Sequence, residues 1–185
     1  PTVPANVRRR ETVFASFDDP SFGHWTARGR AFRKPQRGTA PDQHPVTGFL
    51  GAGLVNSFDP NDGPHGRLTS PVFIIQEKYV SFLVGGGNHP DRCCINLVVD
   101  GKVVRSTTGR HTEQLERQEW DVSEFLNREA RIERVDEESG GWGHILVDDI
   151  RLSNLPVDAV TADEAEAWNK LLKDSSGGPS TRPVG

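Results

Sequence analysis

The chain lacks methionine altogether, and its only two cysteines, Cys93 and Cys94, are neighbours. Without an initiating methionine it reads as a piece of a longer, processed chain, with any signal peptide lying elsewhere. Adjacent cysteines on a strand point to opposite faces and do not readily bridge each other. One buried and one partly covered thiol are therefore expected, rather than a disulfide. No CxxC spacing exists for zinc. No apolar run approaches the roughly 20 residues that a membrane helix needs, so membrane insertion is not expected. Excess basic charge is missing too: the net charge is −4, with both signs mixed along the chain, which argues against a nucleic-acid partner. There is no GxSxG to form a nucleophile elbow, and the six histidines are scattered without an HExxH. A glycosidase needs two facing carboxylates, and the many acidic residues leave Asp136 and Asp149 open as such a pair.

What is present is glycine and proline, 19 and 13 of them in 185 residues, the composition of a turn-rich single domain. Residues 1–11, with Arg8-Arg9-Arg10, read as a linker or arm. Thr12 to Phe17 reads as a first strand, and Trp25 as core. Residues 33–45 read as a loop, Val46 to Val55 as a strand with a bend, and residues 56–66 as a second long loop. Arg67 to Ile75 enters a strand in which Pro71 marks a start or an edge. Lys78 to Val84 and Cys93 to Val99 are further strands, and Asp100-Gly101 is a two-residue hairpin turn leading into Val103-Val104. His111 to Arg117 reads as a charged loop, Glu119 to Val122 as a short strand with Trp120 in the core, and Ser123 to Asn127 as a turn. Residues 157–174 hold the one helix, acidic in its first turn and basic in its last, with Ala165, Trp168, Leu171 and Leu172 on one face. Residues 175–185 read as a flexible Gly/Ser/Pro tail.

The chain is organised around residues 130–150. Ala130 to Val135 alternates apolar and charged residues, as a half-buried strand does, and His144 to Ile150 alternates again. Between them Ser139-Gly140-Gly141 signals a turn. Trp142 is thereby held at a glycine-flanked bend with acids on both sides. Such a ring offers a flat apolar face, and carboxylates accept hydrogen bonds from hydroxyls, so the bend suits a sugar. About nine or ten short strands with long loops predict an all-β, antiparallel β-sandwich of the jelly-roll type over residues 12–156, with the short C-terminal helix beside it.

Several motifs occur in order: Leu68-Thr69-Ser70-Pro71-Val72-Phe73, Phe82-Leu83-Val84-Gly85-Gly86-Gly87, Asn96 to Arg105 (NLVVDGKVVR), Trp120-Asp121-Val122 and Gly140-Gly141-Trp142-Gly143-His144-Ile145. Together they resemble the family 66 carbohydrate-binding modules appended to levanases, and related modules of planctomycete-type surface proteins. The resemblance covers roughly residues 13–153. It implies a non-catalytic module that binds the terminal fructose of a fructan such as levan or inulin, exported to the cell surface or beyond and covalently linked to other domains of a parent chain. On this resemblance Arg105, Glu113, Asp136, Trp142 and His144 are the ligand-binding residues. The charged loops at residues 59–66 and 111–117 depart from the pattern.

Each candidate has a plainer alternative. Arg105 carries a planar donor fork suited to adjacent hydroxyls, or else a salt bridge to Glu113 or Asp136. Trp142 stacks on a sugar, or plugs the end of the sandwich. His144 contacts the ligand, or satisfies a backbone carbonyl. In Asp148-Asp149 one carboxylate must face inward and needs a partner. A structural calcium ion held by Asp149 with Asp18 and Asp19 would supply one, and so would an arginine. The rival class is a structural or protein-interaction domain of a bacterial cell-surface protein, without a sugar site.

Overall fold

The computed structural model describes residues 3, 4 and 6–176; the expected tail from residue 177 onward lies outside them. Eleven strands form two antiparallel sheets. One contains β1 (Glu11–Ala15), β3 (Val55–Asn56), β6 (Tyr79–Gly86), β9 (Thr112–Asp121) and β11 (Ile145–Ser153), in the order β1-β11-β6-β9 with β3 beside β11. The other contains β2 (Thr26–Gly29), β4 (Gly66–Thr69), β5 (Phe73–Ile74), β7 (Cys93–Val99), β8 (Lys102–Thr107) and β10 (Glu129–Asp136), in the order β2-β4-β10-β7-β8 with β5 beside β10. From β8 onward successive strands alternate between the sheets, which is the winding of the expected jelly roll. The helix α1 spans Ala162–Ser176. Among the described residues no helix is long and apolar enough to cross a membrane.

Alternation explains most of these strands. Ala130, Ile132, Leu97, Ile95, Phe82 and Val147 point between the sheets and are buried there. The Asp100-Gly101 turn has positive φ at both residues, +50° and +74°, as a type I′ hairpin requires. Trp120 is buried against Phe82, and its indole Nε1–H donates to Thr107 Oγ1 at 2.9 Å.

Four local expectations change. Val46 to Val55 is mostly loop, with only β3 at its end. Gly48 sits at φ +83°, and a Cβ there would lie 2.5 Å from the Leu115 carbonyl, so the chain turns away from a strand path. Its apolar residues instead pack on the outer face of β6 and β11, where Val46, Leu54, Leu83, Leu115 and Leu146 form a second small core. Residues 112–117, expected as loop, begin the ten-residue β9; the buried positions are Glu113 and Leu115, covered on the outer face, and the buried acid hides the alternation. β2 carries no apolar signal because all four of its residues are exposed on a sheet edge. Both cysteines are buried free thiols, and Cys94 Sγ–H donates to Asn96 Oδ1 at 3.3 Å.

The N-terminal arm meets the start of α1. Thr161 and Glu164 cap α1 reciprocally: Glu164 N donates to Thr161 Oγ1 at 3.2 Å, and Thr161 N to Glu164 Oε2 at 2.9 Å. Arg9 Nε donates to Glu164 Oε1 at 2.9 Å, so this part of the arm is docked on the helix start.

Candidate functional site

Four elements deliver side chains to one end of the sandwich. His144 immediately precedes β11, Glu113 lies on β9, Asp136 ends β10, and Asp62 lies on the loop after β3. The His144 ring is almost fully buried. Its Nδ1 lies 2.6 Å from Asp62 Oδ1 and its Nε2 lies 3.1 Å from Glu113 Oε2. Glu113 is itself buried and accepts a second bond, from Gln43 Nε2 at 3.2 Å. Gln43 is in turn held by Asn56, whose Nδ2 donates to Gln43 Oε1 at 2.8 Å. Asp62 remains a quarter exposed, so the charged chain Asp62–His144–Glu113 runs from solvent into the fold.

Burial alone would push the imidazole pKa down. The hydrogen bonds and charges of Glu113 and Asp62 outweigh it, and the His144 pKa is raised. Asp136 responds the other way. It is fully buried, and burial pushes its carboxyl up to about 7, against the lowering effects of Ser57, the Glu138 backbone N–H and His144.

Trp142 closes this end. Its backbone is left-handed, φ +63°, an unusual conformation for a bulky residue. The turn that holds it is fixed by Glu138, whose Oε1 accepts from Ser139 N at 3.0 Å and Gly140 N at 2.9 Å. Glu138 also pairs with Arg92 at 3.3 Å. The half-buried indole stacks near-parallel on His144 and His111, at centroid distances of 5.7 and 5.8 Å. Phe58 meets His144 edge-on at 5.3 Å. The result is a cluster of stacked rings with a partly exposed indole, near a partly exposed carboxylate, a set of groups that can hold a hydroxylated ring by apolar contact and by accepting its O–H groups.

The structure therefore gathers Glu113, Asp136, Trp142 and His144, and places Arg105 elsewhere. Arg105 lies on β8, opposite Leu97 of β7. Its fork is engaged by Glu124 and by the carbonyls of Asp121 and Val104, at 3.1 and 2.9 Å, with its guanidinium over Phe125. Asp62, Gln43 and Phe58 join Glu113 and His144 without belonging to any of the motifs. The acidic, turn-rich run NSFDPNDG was the only signal for Asp62, and nothing marked Gln43 or Phe58.

The three aspartates considered for calcium do not converge. Asp149 is held by Arg117 and by Arg151, whose Nε lies 2.7 Å away. Asp18 Oδ1 instead accepts the backbone N–H groups of Ala52 and Gly53, at 2.5 and 3.1 Å. Asp19 joins neither, and among the described residues no group of three His, Cys, Asp or Glu side chains is placed to hold a metal ion. Asp149 thus has arginine partners, whereas Asp148, which is fully buried, accepts from Leu50 N at 2.7 Å and its Oδ1 has no hydrogen-bond partner among the described residues.

No protein-family model matches the chain. A protein of Aspergillus rugulosus named "Putative glycosyl hydrolase ecdE" is 48% identical over 120 residues, which is 65% of this chain and 17% of that protein. The chain thus spans 17% of that relative's length. Among solved structures, the K3 cleaved adhesin domain of Lys-gingipain from Porphyromonas gingivalis W83 superposes with a TM-score of 0.51 at 12% identity, over 79% of this chain and 99% of that one. The Stig cyclase FisC from Fischerella sp. TAU gives a TM-score of 0.50 at 12% identity, over 79% and 98%. At such identities the likeness is one of fold.

Proposed function

We propose that the sandwich is a non-catalytic carbohydrate-binding module that holds an exported parent protein on a polysaccharide. The observation that carries this is the partly exposed Trp142 ring lying against His144, whose partner Asp62 keeps part of its carboxylate in solvent. A sugar ring on the indole would have an acceptor for its hydroxyls next to it. The rigid chain behind Asp62 means that little side-chain freedom is lost on binding. The resemblance to family 66 modules makes the fructose ends of levan and inulin the first ligands to test. The 48% identical segment within a protein named as a glycosyl hydrolase fits a module tethered to a glycan-acting enzyme, where it would raise local substrate concentration.

A glycosidase is less well supported by the same geometry. Asp62 and Glu113 bind opposite nitrogens of one imidazole, so His144 fills the space between them. Asp136, the acid with the raised pKa, is fully buried. The competing protein-interaction reading draws on Arg105, whose fork is already satisfied internally.

Calorimetric titration against levan, inulin, fructose and a panel of plant and algal polysaccharides tests the proposal. Saturable binding that is lost in Trp142→Ala is expected. A folded protein that binds nothing in a broad panel would leave the protein-interaction domain as the better account.

A further inference from the structure

The loop that carries Asp62 has a second side. Asn61 and Gly63 flank Asp62 and, with Asp59, Pro60 and Pro64, form one wall of an open hollow of about 710 Å³. The opposite wall is Gly29, Arg30 and Arg33. The two walls are tied together, because Arg30 N and Ala31 N both donate to the His65 carbonyl, at 2.8 and 3.2 Å. A Cβ on Gly29 would collide with that same carbonyl. The hollow is thus a fixed feature of the fold, lined by the neighbours of Asp62, whose own carboxylate reaches His144.

Its charge runs against that of the chain. Residues 28–37 hold Arg28, Arg30, Arg33, Lys34 and Arg37 and no acid, within a protein of net charge −4. Arg37 is used structurally, donating to the carbonyls of Asp18 and Ala52 at 2.7 and 3.2 Å. Arg30 and Arg33 are exposed, and among the described residues neither side chain makes an ion pair or a hydrogen bond. Ten other arginines of the chain are paired with carboxylates; Arg30 and Arg33 are not, and they face one hollow together. The acid inside the hollow, Asp59, accepts from Gln36 Nε2 at 3.3 Å, and the Asp62 carboxylate turns away to His144.

Resting on the carbohydrate reading above, we infer that the ligand is an acidic saccharide whose oxyanion is received between Arg30 and Arg33 while a neighbouring sugar unit lies on Trp142. Guanidinium forks match planar carboxylates and tetrahedral sulfates alike, so a uronate carboxylate and a sulfate ester present the shared chemistry. The distinction from a neutral fructan is one of substrate class at the same end of the molecule.

Titrations with polygalacturonate, a sulfated galactan, levan and neutral galactan separate these cases. Uronate and sulfate arms identify the source of the oxyanion. Preferential binding of one acidic polymer is expected, with about tenfold weaker affinity in the Arg30→Gln/Arg33→Gln double variant and a steep loss of affinity with salt. Arg131→Gln removes one positive charge from an exposed arginine outside this hollow and is expected to change little. Equal weakening by Arg131→Gln would overturn the site in favour of diffuse attraction. Trp142-dependent binding of neutral polymers alone would overturn the acidic-ligand inference and leave the module reading intact. No binding of any saccharide removes both.

Discussion

His144 Nδ1 lies 2.6 Å from Asp62 Oδ1, joining two residues 82 positions apart in the chain. With Glu113 on the other ring nitrogen, the imidazole is held as a cation between two carboxylates, and its pKa is raised. A raised folded pKa contributes stability that is fully present below the ordinary histidine value of about 6.5 and is lost as pH rises through the folded value. Melting temperature is therefore expected to fall as pH rises above about 6.5, and this slope should flatten in His144→Gln. An unchanged slope in the variant would mean that the imidazole is neutral.

Asp136 adds to the same trend. Its carboxyl is pushed up to about 7, so between about pH 4 and 7 the folded state holds a proton that the unfolded chain has lost. Stability is lost as pH rises through that window. Asp136→Asn removes the ionisation with little change of shape. It should raise the melting temperature by about 4 °C or more at pH 8 and by much less at pH 5. An equal gain at both pH values would contradict the assignment.

Arg134 is a cost to the fold. Its side chain is completely buried between Phe17 and Trp25, with its guanidinium carbon 4.5 and 4.1 Å from their ring centres. None of its three nitrogens finds a hydrogen-bond partner. Burial drives its pKa well down, against the attraction of Asp148. Replacing a buried, unsatisfied cation by an apolar side chain of similar length is often neutral or stabilising. Arg134→Met should leave the melting temperature unchanged or raise it by about 2–4 °C. A drop of that size would show that the two aromatic faces and Asp148 more than offset the desolvation.

Trp142 separates ring from backbone. At φ +63°, glycine relieves strain that alanine keeps. Trp142→Gly should be more stable than Trp142→Ala by about 1 kcal/mol in denaturant melts, with ligand binding absent from both. Equal stabilities would place the strain outside this residue.

The ion pairs of Asp149 with Arg117 and Arg151 already neutralise the carboxylate considered for calcium. A chelator should leave the melting temperature where it is, and added calcium should not raise it. A fall on chelation would show a metal held by ligands other than the set considered.

The sequence revealed those parts of the fold in which local pattern and burial agree. The alternation of β10 and β11 and the positive-φ pair Asp100-Gly101 could be read directly. β9 is half hidden because Glu113 occupies a buried position, beside Leu115, where an apolar residue is expected. Val46 to Val55 looked like a strand because it is apolar, yet its residues bury themselves as a loop over the second core. For the site, the residues that the family resemblance implies, Glu113, Asp136, Trp142 and His144, lie at one end of the sandwich. Arg105 sat next to a strong motif and faces away. Asp62 went unnoticed because its role depends on which loop reaches His144, a matter of three-dimensional closure that no spacing along the chain encodes.

Trp142 and Asp62 are proposed to form a saccharide site from which Arg105 is absent. Titrating the best-binding polysaccharide against wild type, Trp142→Ala, Asp62→Asn and Arg105→Ala tests it most directly. Loss of binding in the first two variants, with wild-type affinity in Arg105→Ala, is the predicted result. Retained binding in Trp142→Ala, or loss in Arg105→Ala of a protein that still melts cooperatively, would contradict it.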